Sequence, residues 1–350
     1  MTSRQFLVEP PSVPALTAWY IADVAEALGK QELYTKQAPQ KLKALREHAL
    51  IESAISSNRI EGVEVEHKRV GTVVFGKAAL RDRDEEEVRG YRKALDLIHT
   101  KGKALPISEP TIRKLHALSR AGLGDAGEYK QSEYDIIEVH PNGRREVRFR
   151  TARVKDTPKF ISDLIERWGQ VLIERRIHPL IALGMLNLDL LCIHPFRDGN
   201  RRVSRLLLLL SCYHAGLEVE CYISLKRLIE QNKERYYEVL KLSSEGWHQG
   251  KHDPWHYVNF LLYTLKQAYQ EFERRAGEVK TPRGEKQGLV AQAVERAIGP
   301  FNVTDLQREC PGVSVDTIRN VLKQLRAKVT VECLRRGRNA SWRKTLGEIR

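Results

Sequence analysis

The 350-residue sequence has no apolar run approaching the roughly 18 residues that a membrane span requires; its longest leucine block is Leu206–Leu210. A membrane-spanning helix is therefore not expected. Cysteine is scarce: Cys192, Cys212, Cys221, Cys310 and Cys333 are an odd number, scattered and without a C-x-x-C pair. That argues against a disulfide framework or a zinc ribbon and for reduced thiols in a cytoplasm. The first twenty residues place prolines where a secretory signal needs its apolar centre, which again points to a cytoplasmic protein. There is no repeat of fixed period and no low-complexity tract. What is present is a core-forming composition, 41% apolar and 30% charged, with 59 Lys/Arg against 45 Asp/Glu and a net charge of +14. The length suits two or three domains, and the positive excess asks for an anionic partner.

The charge is unevenly placed. From Arg274 onward, 17 Lys/Arg stand against 8 Asp/Glu, a net +9, which leaves +5 for the preceding 273 residues. Around residues 277–284, Gly, Pro and charge replace a helical pattern, so a linker over 276–285 separates a large body from a small basic domain at 286–350. In the body, apolar residues recur at helical spacing over 38–61, 84–99, 108–121, 157–174, 178–192, 202–215, 224–242 and 254–274. Residues 133–150 break that pattern: Asn142-Gly143 between alternating β-branched runs predicts a hairpin.

The chemistry gathers at His194-Pro-Phe-Arg-Asp-Gly-Asn-Arg-Arg-Val-Ser-Arg205, a polar loop between two apolar helices. Backbone N–H groups at a helix start opened by Gly199-Asn200 form an anion site. Arg201, Arg202 and Arg205 add cations that suit phosphates. Asp198 would repel such a ligand unless a divalent cation bridges them, and Mg²⁺ is the ordinary solution. His194 is the nearby group able to act as a base at neutral pH.

This segment resembles the core motif of the Fic family, His-x-Phe-x-Asp/Glu-Gly-Asn-Gly/Lys-Arg-x-x-Arg. The resemblance implies a mainly α fold, a Fic-type helical bundle with a β-hairpin flap, that transfers AMP from ATP to a Ser, Thr or Tyr hydroxyl of a target protein. It implies that His194 deprotonates the hydroxyl, Asp198 holds Mg²⁺, and Gly199, Asn200, Arg202 and Arg205 bind the nucleotide phosphates, with Phe196 anchoring the loop. Arg201 stands where the family commonly has glycine. It would be strained if that position needs φ > 0, and it is a further phosphate contact if the position is helical. The transferred group stays open among AMP, UMP and phosphocholine, as does removal of AMP from a modified protein.

Ser57 and Glu61 lie four apart at the end of a helix closed by Gly62. A glutamate there faces the negative end of the helix dipole and is better placed beside a cation. The stretch is similar to the Fic inhibitory motif, Ser/Thr-x-x-x-Glu-Gly/Asn, which implies that Glu61 reaches Arg205 and blocks seating of ATP. The expected layout is an N-terminal helical region at 1–110 with an inhibitory helix near 39–62, and a catalytic core at 111–275 with its flap at 133–150. Gly127-Glu128-Tyr129-Lys130 resembles the stretch that leads into Fic flaps, with Lys in place of Arg. His248, His252 and His256 have a metal-like spacing, but Gly250 and Pro254 interrupt the helix that would align them.

The C-terminal residues read as helix, short helix, turn (311–313) and helix capped by Ser314, then a ribbon from Val329 to Lys344. That pattern is like a winged helix-turn-helix with Arg335, Arg336, Arg338, Arg343 and Lys344 on its wing. It suggests DNA as a partner, with a protein-pairing role, including a homodimer, as the alternative. The rival to an AMP transferase is a DNA-binding regulator whose Fic body binds nucleotide without efficient turnover.

Overall fold

The computed structural model describes residues 1–35, 39–76, 79–120, 124–139, 142–277, 285–297, 299–310, 313–335, 337 and 340–345. Helices α1 (Thr2–Val8), α2 (Ala15–Thr35), α3 (Pro39–Ile60), α4 (Val70–Phe75), α5 (Arg83–Lys101) and α6 (Glu109–Ser119) precede a hairpin of β1 (Ile136–Val139) and β2 (Arg145–Phe149). Then come α7 (Thr157–Glu174), α8 (Pro179–Ile193), α9 (Asn200–His214), α10 (Leu225–Gln231), α11 (Lys233–Ser244) and α12 (Trp255–Gly277). The chain ends with α13 (Glu285–Arg296), β3 (Phe301–Asn302), α14 (Val303–Glu309), α15 (Val315–Ala327), β4 (Val331–Arg335) and β5 (Ser341–Lys344). The fold is mainly α. Among the described residues, no helix is long and apolar enough to cross a membrane.

The chain divides into two compact units. One is Met1–Leu33 with Ala49–Phe272; the other is Tyr34–His48 with Glu273–Arg350. The regions expected at 1–110 and 111–275 thus share most of one unit. The linker expected at 276–285 falls largely on 278–284, outside the described residues.

In the first unit, α8 is the central helix, with every side chain from Leu180 to Ile193 buried. Pro179 starts it, and the His178 ring accepts from the Leu180 N–H at 3.2 Å. Gly184 lets α12 approach: a Cβ there would lie 2.8 Å from the Val258 methyl. Two polar side chains in α8 are fully used. Asn187 donates to the Ser204 carbonyl of α9 (2.6 Å) and accepts from the Tyr257 hydroxyl of α12 (2.5 Å). Asp189 accepts from the backbone N–H groups of Thr2 and Ser3 and from the Trp247 indole, at 2.7–2.9 Å. It thereby caps α1 from outside and fastens the N-terminal segment to the core.

One expectation changes in detail, and one spacing is resolved. Residues 224–242 form two helices, because Asn232 leaves helical geometry (φ −118°, ψ 32°) and its side chain bonds back to the Leu228 carbonyl. The three spaced histidines part company: His248 bonds the Arg150 carbonyl, His252 the Thr2 hydroxyl, and His256 lies beside Asp253.

The second unit is built on a core of Val290, Val294, Phe301, Leu306, Ile318 and Leu322. Two of its helices start on explicit caps: Asn302 and Asp305 form a reciprocal capping box on α14, and Ser314 accepts from the Thr317 N–H on α15. Its three strands are antiparallel in the order β3-β5-β4.

Candidate active site

α8 ends at His194, which takes a left-handed conformation (φ 52°, ψ 62°) and turns the chain into the polar loop. Its Nδ1 lies 3.4 Å from the Leu191 carbonyl. A carbonyl only accepts, so the proton sits on Nδ1 and Nε2 keeps its lone pair. Burial, reinforced by the Lys130 charge, pushes the imidazole pKa down to about 4, so the ring is neutral at pH 7.

Phe196 is fully buried and stacks on the His116 ring, with centroids 3.8 Å apart. Asn200 brackets it: its side-chain oxygen accepts from the Phe196 N–H (2.9 Å) and its amide donates to the Phe196 carbonyl (2.8 Å). The Asn200 side chain therefore closes the loop, and the residue lines the same cleft as Gly199. Gly199 opens α9 at φ 79°, and a Cβ there would come within 3.3 Å of the Arg120 side chain. The backbone conformation and the close approach both favour glycine. The preceding Asp198 is half-exposed: Oδ1 accepts from the Gly199 N–H and Oδ2 from Arg120 at 2.5 Å. Burial would raise its pKa, but Arg120, the Gly199 N–H and Arg202 outweigh that and hold it below the usual carboxylate value.

The three arginines divide between two carboxylates. Arg202 is buried in an ion pair with Glu87 and lies 3.4 Å from the Asn58 oxygen, which makes it a brace between α9, α5 and α3. Arg205, 1% exposed, donates to the Ser57 hydroxyl (2.8 Å), the Ser57 carbonyl (2.9 Å) and Glu61 (2.8 Å). Arg201 is helical, so the strain considered for a non-glycine residue does not arise. Its Nε lies 2.9 Å from the other Glu61 oxygen, and its guanidinium sits over the Tyr237 ring at 5.3 Å. Glu61 is thus held by two arginines, one on each oxygen. Burial alone would keep its carboxyl protonated longer, yet Arg205 and Arg201 pull its pKa down.

His194, Asp198, Gly199, Arg201, Glu61 and the β1 residues Ile136–Glu138 line one cleft of about 830 Å³. β1 and β2 form a two-stranded sheet, with Ile137 opposite Val147 and Glu138 opposite Glu146. Lys241 on α11 holds Glu138 at 2.8 Å. Residues 106–212, which contain the whole loop and the hairpin, match the Fic/DOC family. The chain carries a Fic domain. It is 24% identical over 242 residues to a protein named protein adenylyltransferase Fic of Drosophila willistoni, covering 64% of this chain and 45% of that protein. It is 27% identical over 166 residues to the Drosophila ananassae protein of the same name, covering 47% and 30%. The chain spans less than half the length of these curated relatives. Its fold is similar to that of a Fic family protein from Desulfovibrio desulfuricans G20 (TM-score 0.61, 22% identity), over 97% of this chain and 99% of that one. It is also similar to a Fic domain containing signaling protein from Bacteroides thetaiotaomicron VPI-5482 (TM-score 0.62, 20% identity), over 74% and 98%.

The Fic domain also uses residues that the loop sequence does not announce. His116 in the last turn of α6 and Arg120 just past its end both serve Asp198: His116 Nε2 bonds its carbonyl at 3.0 Å and Arg120 its carboxylate. The other His116 nitrogen accepts from the Gly127 N–H at 2.8 Å. Burial holds this imidazole pKa down to about 4, in keeping with a ring that must both donate and accept. Lys130 is buried at the entrance to the hairpin. Its N–H bonds the Pro195 carbonyl (2.9 Å) and its ammonium the Thr151 hydroxyl (2.7 Å), joining flap and loop. Burial lowers its pKa to about 8.

Proposed function

We propose that the Fic domain transfers AMP from ATP to a hydroxyl of a protein, and that Glu61 restrains the reaction in cis. The observation that carries this reading is the single cleft that brings a neutral His194, the glycine-opened start of α9 and a strand edge together. The α9 N-terminus, with Gly199 at its cap, offers the N–H groups and positive dipole end that suit a phosphate. The β1 edge can take an extended segment by main-chain pairing, which selects backbone rather than a particular side chain. A hydroxyl so presented gives its proton to His194 Nε2 as its oxygen bonds to the α-phosphorus. The bond from that phosphorus to the bridging oxygen breaks, and pyrophosphate leaves.

The residues present fit Mg²⁺. Among the described residues, no cluster of three or more His, Cys, Asp or Glu could form an all-protein cage. Asp198 is a lone, ionised, half-exposed carboxylate beside the phosphate site. One carboxylate plus substrate phosphates is how Mg²⁺ is commonly held. Asp198 would hold the ion, which supplies neutralisation of phosphate charge, and His116 and Arg120 would orient that carboxylate.

Glu61 occupies both Arg205 and Arg201, so a phosphate that needs either cation must displace the carboxylate. The arrangement favours an inhibitory helix ending at Glu61, as the Ser57–Glu61 stretch implies. For the second unit we infer a winged-helix domain. Its order of helix, strand, two helices and two strands, with β5 central, supports that reading. Free thiols at all five cysteines accord with a cytoplasmic setting.

Intact-mass measurement after incubation with ATP and Mg²⁺ tests the central reading. AMP should add to the Glu61→Gly protein or to an acceptor protein, and His194→Ala in that background should reduce the rate by about 10²–10⁴-fold, the usual share of a positioned base. Equal labelling of the two proteins would remove His194 from the reaction.

A further inference from the structure

The sequence draws attention to the basic ribbon, but the structure moves the free cations elsewhere. Arg336 and Arg338 lie outside the described residues. Arg343 is paired with Glu332 at 2.6 Å, and Lys344 donates to the Glu295 carbonyl at 2.6 Å. Of the described ribbon cations, Arg335 is exposed and makes neither kind of contact.

α15 is different. Ile318, Val321 and Leu322 fill the core of the unit, which fixes the opposite face outward. That outward face reads Asp316, Arg319, Asn320, Lys323, Gln324 and Arg326, all exposed. It carries three cations and one acid, and that acid, Asp316, lies 3.6 Å from Arg319. Arg319 and Lys323 are one turn apart, as are Asn320 and Gln324, so two parallel rows run along the face. One row is cationic and the other is made of side-chain amides.

We propose that this face of α15 reads base edges in the major groove of duplex DNA. The amide row decides between a phosphate-binding face and a reading face. Phosphate attraction needs cations only, whereas Asn and Gln are the side chains that pair bidentately with adenine N6 and N7, as Arg and Lys do with guanine O6 and N7. Asp316 can accept from a cytosine amino group, so the one acid does not break the pattern. A 13-residue helix is about 20 Å long at 1.5 Å per residue, and its width suits the roughly 12 Å major groove. The net +9 of the last 77 residues complements the duplex. Arg335 on the ribbon is available to a phosphate.

The test uses the full-length protein, first on random-sequence duplex by fluorescence anisotropy and then in rounds of selection from a random library. Random duplex should be retained at low salt and released steeply as salt rises, and the selection should enrich one motif. Asn320→Ala and Gln324→Ala should weaken binding to that motif by about ten-fold or more while leaving random-duplex affinity nearly unchanged. Lys323→Ala should weaken both. Thermal melts of each variant establish that the unit stays folded. No retention at low salt, no enriched motif, or equal loss on motif and random duplex in the amide variants would each overturn the proposal. A face that captures a protein but no duplex would overturn it as well. Duplex retention and AMP labelling are read separately on one preparation, so failure of either leaves the other standing.

Discussion

The polar loop of the Fic domain and the outward face of α15 are both rich in arginine, yet they hold their cations in opposite ways. Around the loop the guanidiniums are committed. Arg202 pairs with Glu87, Arg205 with Glu61, and Arg120 with Asp198, each of these arginines nearly excluded from water. On α15, Arg319 and Lys323 stand in solvent. Buried arginines of the first kind fix geometry, because a charge taken out of water must keep its partner. Exposed ones retain their charge for an incoming ligand, at little cost to the fold. Net charge therefore says less about a ligand than the partners each cation already has.

Removing one partner from each region separates the two uses. Glu87→Gln leaves Arg202 buried without its counter-charge and should cost about 3–5 kcal/mol, read as a lower urea midpoint. Arg319→Ala on α15 should stay within about 0.5 kcal/mol of the parent protein. Similar losses at the two positions would dissolve the distinction.

Arg201 is the intermediate case, 44% exposed but bonded to Glu61 and stacked on Tyr237. If its resting task is to hold the carboxylate, Arg201→Gly should raise basal AMP labelling several-fold, by less than Glu61→Gly does. A fall in labelling would give Arg201 the phosphate role that the sequence first suggests.

The smallest expected effect is in the pH profile. The folded His194 titrates near 4, below the usual histidine value of 6.5, because burial and Lys130 disfavour its charged form. The neutral base therefore persists on acidification, and kcat/KM of the Glu61→Gly protein should hold from pH 7 to about 5 before falling. The same shift contributes stability that is complete above 6.5 and is lost as pH drops toward 4, since the unfolded chain takes up the proton first. An acid limb centred near 6.5 would show a solvated His194.

Much of the site was legible because its chemistry is contiguous. Residues 194–205 place histidine, carboxylate, glycine hinge and arginines within twelve consecutive positions, and the helices there follow from apolar spacing. The Glu61–Arg205 contact spans 144 positions, yet a carboxylate at a helix C-terminus already asks for a cation. By contrast, His116, Arg120 and Glu87 meet the loop across 78 to 115 positions, and no local spacing marks them. Asp189 was hidden in the same way: inside an apolar helix its value depends on the backbone of Thr2 and Ser3. On the ribbon, composition cannot tell a free arginine from one paired across two strands, as Arg343 is with Glu332.

The central claim is that the cleft is a working transferase held back by Glu61. Intact-mass analysis of parent and Glu61→Gly proteins, incubated side by side with ATP and Mg²⁺, addresses it most directly. The account predicts slow or undetectable AMP addition in the parent and clear addition in the variant. Equal labelling of the two proteins, or none in either, would contradict it.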